Sequence, residues 1–319
     1  TFTTTPRMST YLLAFVVGEL HKKSATTANG VEVNIWATPA QPAKSLDFAL
    51  DTAVRAVEFY NEYFGTPYPL PKSDHIALPD FTVGGMENWG LITYREATLL
   101  VDPKLTSTIA KRHVGVVIAH ELAHQWFGNL VTMTWWNDLW LNESFANLME
   151  YIAIDAIYPD WNIWLDYIND EVAIALRRDS IDGVQPVQID IDHPAEIGTL
   201  FDGAIVYAKG GRLLRMIRQY IGDDAFRAGL KNYFAKHAYG NTVGNDLWDA
   251  LERASGKQVK DIMNTWISQP GYPVVALSRH NDQLSLTQQQ FFVGNHKPSK
   301  RTWPVPLGAN TSTLPALMT

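Results

Sequence analysis

Read from its N-terminus, the chain sets short β-like runs against long stretches of helical period. "SLDFALDTAVRAVEFYNEYFG" (45–65) places apolar residues at three- and four-residue steps and closes on Gly65, which predicts an amphipathic helix with a glycine stop. "HIALPDF" and "GGMENWGLITY" read as strands, and a second helix is expected from about Ser107 to Phe127. Helical patterns follow at 143–157, 161–178, 204–221, 223–237, 245–254 and 258–267, with no internal repeat. β character returns at both ends. "TFTTTPRMSTYLLAFVVGEL" is β-rich from Tyr11 to Val17, and "VVALSR" and "LSLTQQQFFV" flank "HND" as a hairpin. The order predicts an α+β fold, a small mixed sheet followed by a mostly helical lobe.

One helical stretch breaks its own pattern. "VVIAHELAHQWFGNL" (116–130) holds His120, Glu121 and His124 in an otherwise apolar run, and burying three ionisable groups is costly unless they are paired or bound to a metal. Residues four apart on a helix share a face, with Cβ atoms roughly 5–6 Å apart. Two imidazoles so placed reach one small cation, while Glu121 points to an adjacent sector. H-E-x-x-H is the zinc pattern in which the histidines are ligands and the glutamate a general base. The competing reading is a helix whose histidines are hydrogen-bonded in a core. A catalytic zinc takes a third protein ligand and keeps one position for water. Glu143 in "WLNESFANLMEY" is available, 18 residues (125–142) separating it from His124, at the start of a helix whose expected N-cap is Asn142.

Two further motifs stand in order around this one: "FTVGGMENWGLITYREATLL" upstream and "IVYAKGGRLLRM" downstream. Together the three resemble the gluzincin aminopeptidases of the aminopeptidase N type, along nearly the whole chain. The resemblance implies a thermolysin-like catalytic domain with one Zn²⁺ per chain on His120, His124 and Glu143. It places general-base catalysis on Glu121 and oxyanion stabilisation on Tyr207. It makes Gly84, Gly85, Met86, Glu87 and Asn88 the substrate-binding exopeptidase motif, with Gly85 where the family usually has Ala. There the Glu87 carboxylate would hold a free α-ammonium group by charge-assisted hydrogen bonding, and the glycines would leave room for a substrate backbone. The implied reaction removes the N-terminal residue of a peptide through a zinc-activated water. The implied boundaries are 1–20, closing strands of an N-terminal β domain; 21–271, the zinc peptidase domain; and 272–319, the start of a β-sandwich. The remaining domains of a longer protein then join peptides with a free N-terminus as partners. "GGMEN" also permits a related hydrolase acting on an epoxide. A catalytically silent binding module is the third reading, against which stand the retained His120, Glu121, His124, Glu143 and Tyr207.

Composition narrows the partners. The 319 residues are 46% hydrophobic with 11 Trp, ample for a core. The net charge of −7, with no Lys/Arg run, argues against nucleic acid and anionic membrane. Zero cysteines exclude disulfides and thiolate metal sites, no apolar run reaches membrane-spanning length, and a cytoplasmic location is expected. Among other candidates, His113 is expected to be exposed or hydrogen-bonded. Asp138 and Asn142 could steady the ligand histidines or serve as turn and cap. Trp126, Trp135, Trp136 and Trp140 are expected to pack around the zinc helices.

Overall fold

A computed structural model describes residues 4–281, 283–297, 299–309 and 314–319. Residues 1–3, 298 and 310–313 of the two terminal segments, and Asp282 of the expected "HND" turn, lie outside them. The chain forms two compact units. The first comprises Thr1–Thr134, Phe145–Leu165 and Lys231–Thr242; the second comprises Trp135–Ser144, Asp166–Leu230 and Val243–Thr319.

The first unit is built on a mixed sheet of β1 (His21–Thr26), β2 (Glu32–Ala37), β3 (Lys72–Leu78), β4 (Gly85–Met86) and β5 (Leu91–Arg95), in the order β1-β2-β3-β5-β4. The β2/β3 and β3/β5 pairs are parallel and the outer pairs antiparallel. A parallel pair needs a crossover, and α1 (Asp47–Phe64) supplies the one between β2 and β3. Its buried face, Ala49, Ala53, Ala56, Val57, Tyr60 and Phe64, follows the expected three- and four-residue steps, and it stops at Gly65, φ +57°. "GGMENWGLITY" is not one strand. The chain turns at Asn88–Gly90, with Gly90 at φ +78°, so the motif residues end on the edge strand β4 and β5 returns beside them. Tyr11–Val17 also departs from expectation: a 3₁₀ turn covers Thr10–Leu12 and residues 13–20 have no ladder partner, leaving Leu13, Phe15 and Val17 exposed. Alternating apolar residues become a strand only where a neighbour accepts their hydrogen bonds.

Helix α2 (Thr108–Ala123) starts at Ser107, whose Oγ accepts from Ala110 N. It packs on α1, with Tyr60 OH donating to Ala119 O at 2.8 Å. Helix α3 (Trp140–Ile157) begins in the second unit and continues in the first. It begins before Asn142, which therefore lies inside its first turn and is not an N-cap: a 3₁₀ turn at Trp136–Asp138 already leads into it. β6 (Val131–Met133) and β7 (Gly240–Thr242) pair in parallel and complete the first unit.

The second unit is mostly helical. The expected helix at 161–178 is broken into α4 (Ile163–Tyr167), a π-helical turn (Ile168–Val172) and α5 (Ala173–Asp179). Another π-helical turn (Gly203–Lys209) precedes α6 (Gly210–Ile221). α7 (Asp223–His237) crosses into the first unit, and α8 (Gly244–Ser255) and α9 (Lys260–Ser268) follow. The antiparallel pair β8 (Pro273–His280) and β9 (Gln283–Gln290) matches the expected hairpin, and β10 (Val305–Pro306) pairs with β11 (Leu317–Met318). The fold class is α+β, as expected. Among the described residues no helix is long and apolar enough to cross a membrane.

Candidate metal centre and active site

The regular part of α2 ends at Ala123, short of the expected Phe127. His124 nevertheless keeps right-handed helical angles (φ −59°, ψ −23°), and its N–H reaches His120 O at 3.3 Å. The two histidines therefore share a face, with their Nε2 atoms 3.2 Å apart. Behind them, His120 Nδ1 is 2.6 Å from Glu150 Oε2 and His124 Nδ1 is 3.0 Å from Phe127 O. A carboxylate and a carbonyl accept hydrogen bonds, so both Nδ1 atoms are donors, and in the neutral ring Nε2 is the lone-pair atom. Two such atoms at that distance are both within reach of one small cation.

Glu143 completes a group that could hold a metal ion. The ligand atoms of His120, His124 and Glu143 all lie within 4.8 Å of one another. Glu143 lies in the first turn of α3, the helix whose later residues pack on α2 in the first unit. That packing is close: the Phe127 and Phe145 rings stack with centroids 4.0 Å apart, and a Cβ on Gly115 would sit 3.4 Å from Ile154 Cδ1. Two imidazoles and a carboxylate suit Zn²⁺. Sequence reading missed Glu150, which orients His120 and accepts from Asn147 Nδ2 at 3.1 Å. The signal was present, since Glu143, Asn147 and Glu150 are spaced four and three residues apart on one helical face.

A second group converges on the same histidine: ligand atoms of Glu87, Glu121 and His124 lie within 4.8 Å of one another, and all three residues are buried. A Cβ on Gly85 would stand 2.4 Å from Glu121 Oε1, so an alanine there would require the Glu121 side chain to shift. The other motif residues hold the edge strand. Gly84 O accepts from Arg95 N and Thr98 Oγ1, Met86 pairs with Thr93 in the ladder, and Asn88 accepts from Thr93 Oγ1 while donating to Leu12 O. Beneath them Tyr94 OH meets His75 Nδ1 at 2.9 Å, and His75 Nε2 meets Ser73 Oγ at 3.1 Å. Burial, reinforced by the charge of Glu121, pushes the Tyr94 phenol well above its usual range. Burial also holds His75 down at about 3.

Tyr207 stands half-buried on the π-helical turn of the second unit. In that unit Ser144 Oγ, in the first turn of α3 and next to Glu143, donates to Val206 O at 2.6 Å. Two residues beyond Tyr207, the buried Lys209 pairs with Asp179 at 2.8 Å and donates to Gln269 O and Gly271 O. Asp138 accepts from Trp140 Nε1, Gln188 Nε2 and Gly244 N, and these bonds steady Trp140 and the start of α8. His113 is exposed, Trp126 and Trp140 are core residues, and Trp135 is exposed.

With this geometry in place, residues 48–266 match the peptidase family M1 domain. The chain belongs to peptidase family M1. This M1 chain is 60% identical over 316 residues to an aminopeptidase N of Lactococcus lactis subsp. lactis, covering 99% of itself and 37% of that protein. It is 56% identical over 310 residues to an aminopeptidase N of Lactobacillus helveticus, covering 97% of itself and 37% of the relative. It is 44% identical over 321 residues to a puromycin-sensitive aminopeptidase of Caenorhabditis elegans, covering 99% of itself and 34% of the relative. The M1 chain thus spans little more than a third of the length of these relatives.

Proposed function

We propose that this M1 chain is the catalytic portion of a zinc-dependent aminopeptidase that removes the N-terminal residue from peptides. The observation that carries the reading is the convergence on His124 of two groups, the half-buried His120 with the buried Glu143, and the buried pair Glu87 and Glu121. When bound by His120, His124 and Glu143, Zn²⁺ would supply the Lewis acid that activates water and polarises the scissile carbonyl. Glu121, 5% exposed, takes the proton of the attacking water and passes it to the leaving amine. Glu87, 7% exposed, binds the substrate's α-ammonium group; an internal peptide bond offers no such cation. Two carboxylates this close favour a positive charge beside them. Tyr207 donates a hydrogen bond to the carbonyl oxygen as it gains charge.

In this reading residues 21–271 are the peptidase domain, while 1–20 and 272–319 belong to flanking β domains whose remaining parts are partners of this chain. The cysteine-free composition favours a cytoplasmic location. Metal analysis and a panel of aminoacyl-anilides test the proposal. One zinc per chain and cleavage of free but not N-acetylated anilides are expected, with Glu121→Gln keeping the metal and losing at least ~10²-fold in turnover. Equal cleavage of both anilide classes, or full activity without metal, overturns it.

A further inference from the structure

Two buried amides at the end of the histidine helix converge on one atom. Gln125 Nε2 donates to Glu121 O at 3.0 Å and to Glu87 O at 3.3 Å; Asn129 Nδ2 donates to the same Glu87 O at 2.8 Å. Glu87 O is therefore held from two sides, by a residue next to His124 and by one whose own N–H is tied to His124 O. The cost of this arrangement is visible. Gln125 is 0% and Asn129 2% exposed, and their amide oxygens, Gln125 Oε1 and Asn129 Oδ1, are buried without a hydrogen-bond partner. An unsatisfied buried acceptor destabilises a fold, whereas apolar side chains of the same shape carry no such penalty. Each amide gives a donor to the Glu87 carbonyl and leaves its own oxygen unpaired, so its two effects on stability oppose each other.

We propose that Gln125 and Asn129 are positioning residues for the amine end of the substrate: by clamping the main-chain carbonyl of Glu87 to the histidine helix, they fix the direction in which its carboxylate points. The inference rests on the aminopeptidase reading, in which Glu87 meets the α-ammonium group. The ladder of β4 with β5 ends at Met86, one residue short of Glu87, and a charge-assisted contact loses strength steeply when its geometry is lost. The two amides convert β4 and the residue after it into a fixed wall of the site.

The test uses Gln125→Met and Asn129→Leu in the intact protein, with Glu87→Ala and the wild type as references. Calorimetry gives the Kd of L-leucine hydroxamate and of 4-methylpentanohydroxamic acid, the same probe without its amine. Zinc content and Tm are measured alongside. In the wild type the amine should tighten binding, and Glu87→Ala should erase that gain. Each amide variant should shrink the gain about tenfold, with the Kd of the amine-free probe, the zinc content and the Tm held or the Tm raised. An unchanged gain in both variants overturns the clamp while leaving the function standing. So does a parallel loss for both probes with a fall in Tm, which is the signature of a structural role. No amine gain in the wild type, or none lost in Glu87→Ala, overturns the amine site itself and the clamp with it.

Discussion

Ser144 and Gly210 are in direct contact: Ser144 Oγ bonds the carbonyl of Val206, and a Cβ placed on Gly210 would fall 1.9 Å from that oxygen and 2.8 Å from Ser144 Cβ. The first turn of α3, which holds Glu143, is thereby joined to the turn that holds Tyr207. Gly210→Ala should cost about 1–3 kcal/mol through overpacking and lower kcat by displacing Tyr207. Adding Ser144→Gly should restore part of both. A double-mutant cycle by denaturant unfolding and kinetics decides the matter, and additive effects would mean that the contact is not the route.

Loss of His124 should abolish stoichiometric zinc, because it leaves one imidazole and one carboxylate. Glu150→Gln should act more gently, weakening zinc by roughly 10–100-fold through the loosened His120 ring. Competition with a chromogenic chelator measures both; tight zinc surviving in His124→Ala would refute the ligand assignment.

His75 makes stability depend on acid. Its folded pKa, about 3, lies below the ordinary 6.5 because burial disfavours the imidazolium. Below about pH 6.5 the unfolded chain binds a proton that the folded chain refuses, so stability falls as pH drops from 6.5 toward 3. The slope approaches roughly 1.4 kcal/mol per pH unit. His75→Gln should remove this component. Unfolding at pH 6.5 and 4.5 should show the wild type losing about 2–3 kcal/mol more than the variant. Equal losses would assign the acid sensitivity elsewhere.

Lys209 and Asp179 form an ion pair in the second unit, at 5% and 3% exposure. Lys209→Met should cost roughly 3–5 kcal/mol, since it strands a buried carboxylate beside the Gly271 N–H. Combining it with Asp179→Asn should cost less than the single change. Thermal unfolding compares the two, and a double variant weaker than Lys209→Met would count against the pair.

The sequence reading succeeded where a residue's chemistry is local. Spacing alone put His120 and His124 on one face, and Gly65 marked the end of α1. Long-range partners were harder to read. Strand β2 gave no clear alternation because Val33, Asn34 and Ile35 are all buried in a non-edge strand with a parallel neighbour. The π-helical turns at Ile168–Val172 and Gly203–Lys209 were invisible, since one widened turn changes hydrophobic periodicity too little to register. Nothing in the sequence singled out Gln125 and Asn129, because the Glu87 O that they meet lies 38 and 42 positions upstream.

The pairing of β6 with β7 sets a condition on biosynthesis. Val131–Met133 acquires its neighbouring strand from Gly240–Thr242, so a ribosome must add the whole of 134–239 before that ladder can form. Pairings of such high contact order form late, and an uncovered edge in a nascent chain is an opening for association with other chains. The segment 166–230 belongs to the second unit and lies between two stretches of the first. Its collapse would shorten the effective loop that β6 and β7 must close, making early folding of the inserted segment an accelerator for completing the unit that surrounds it.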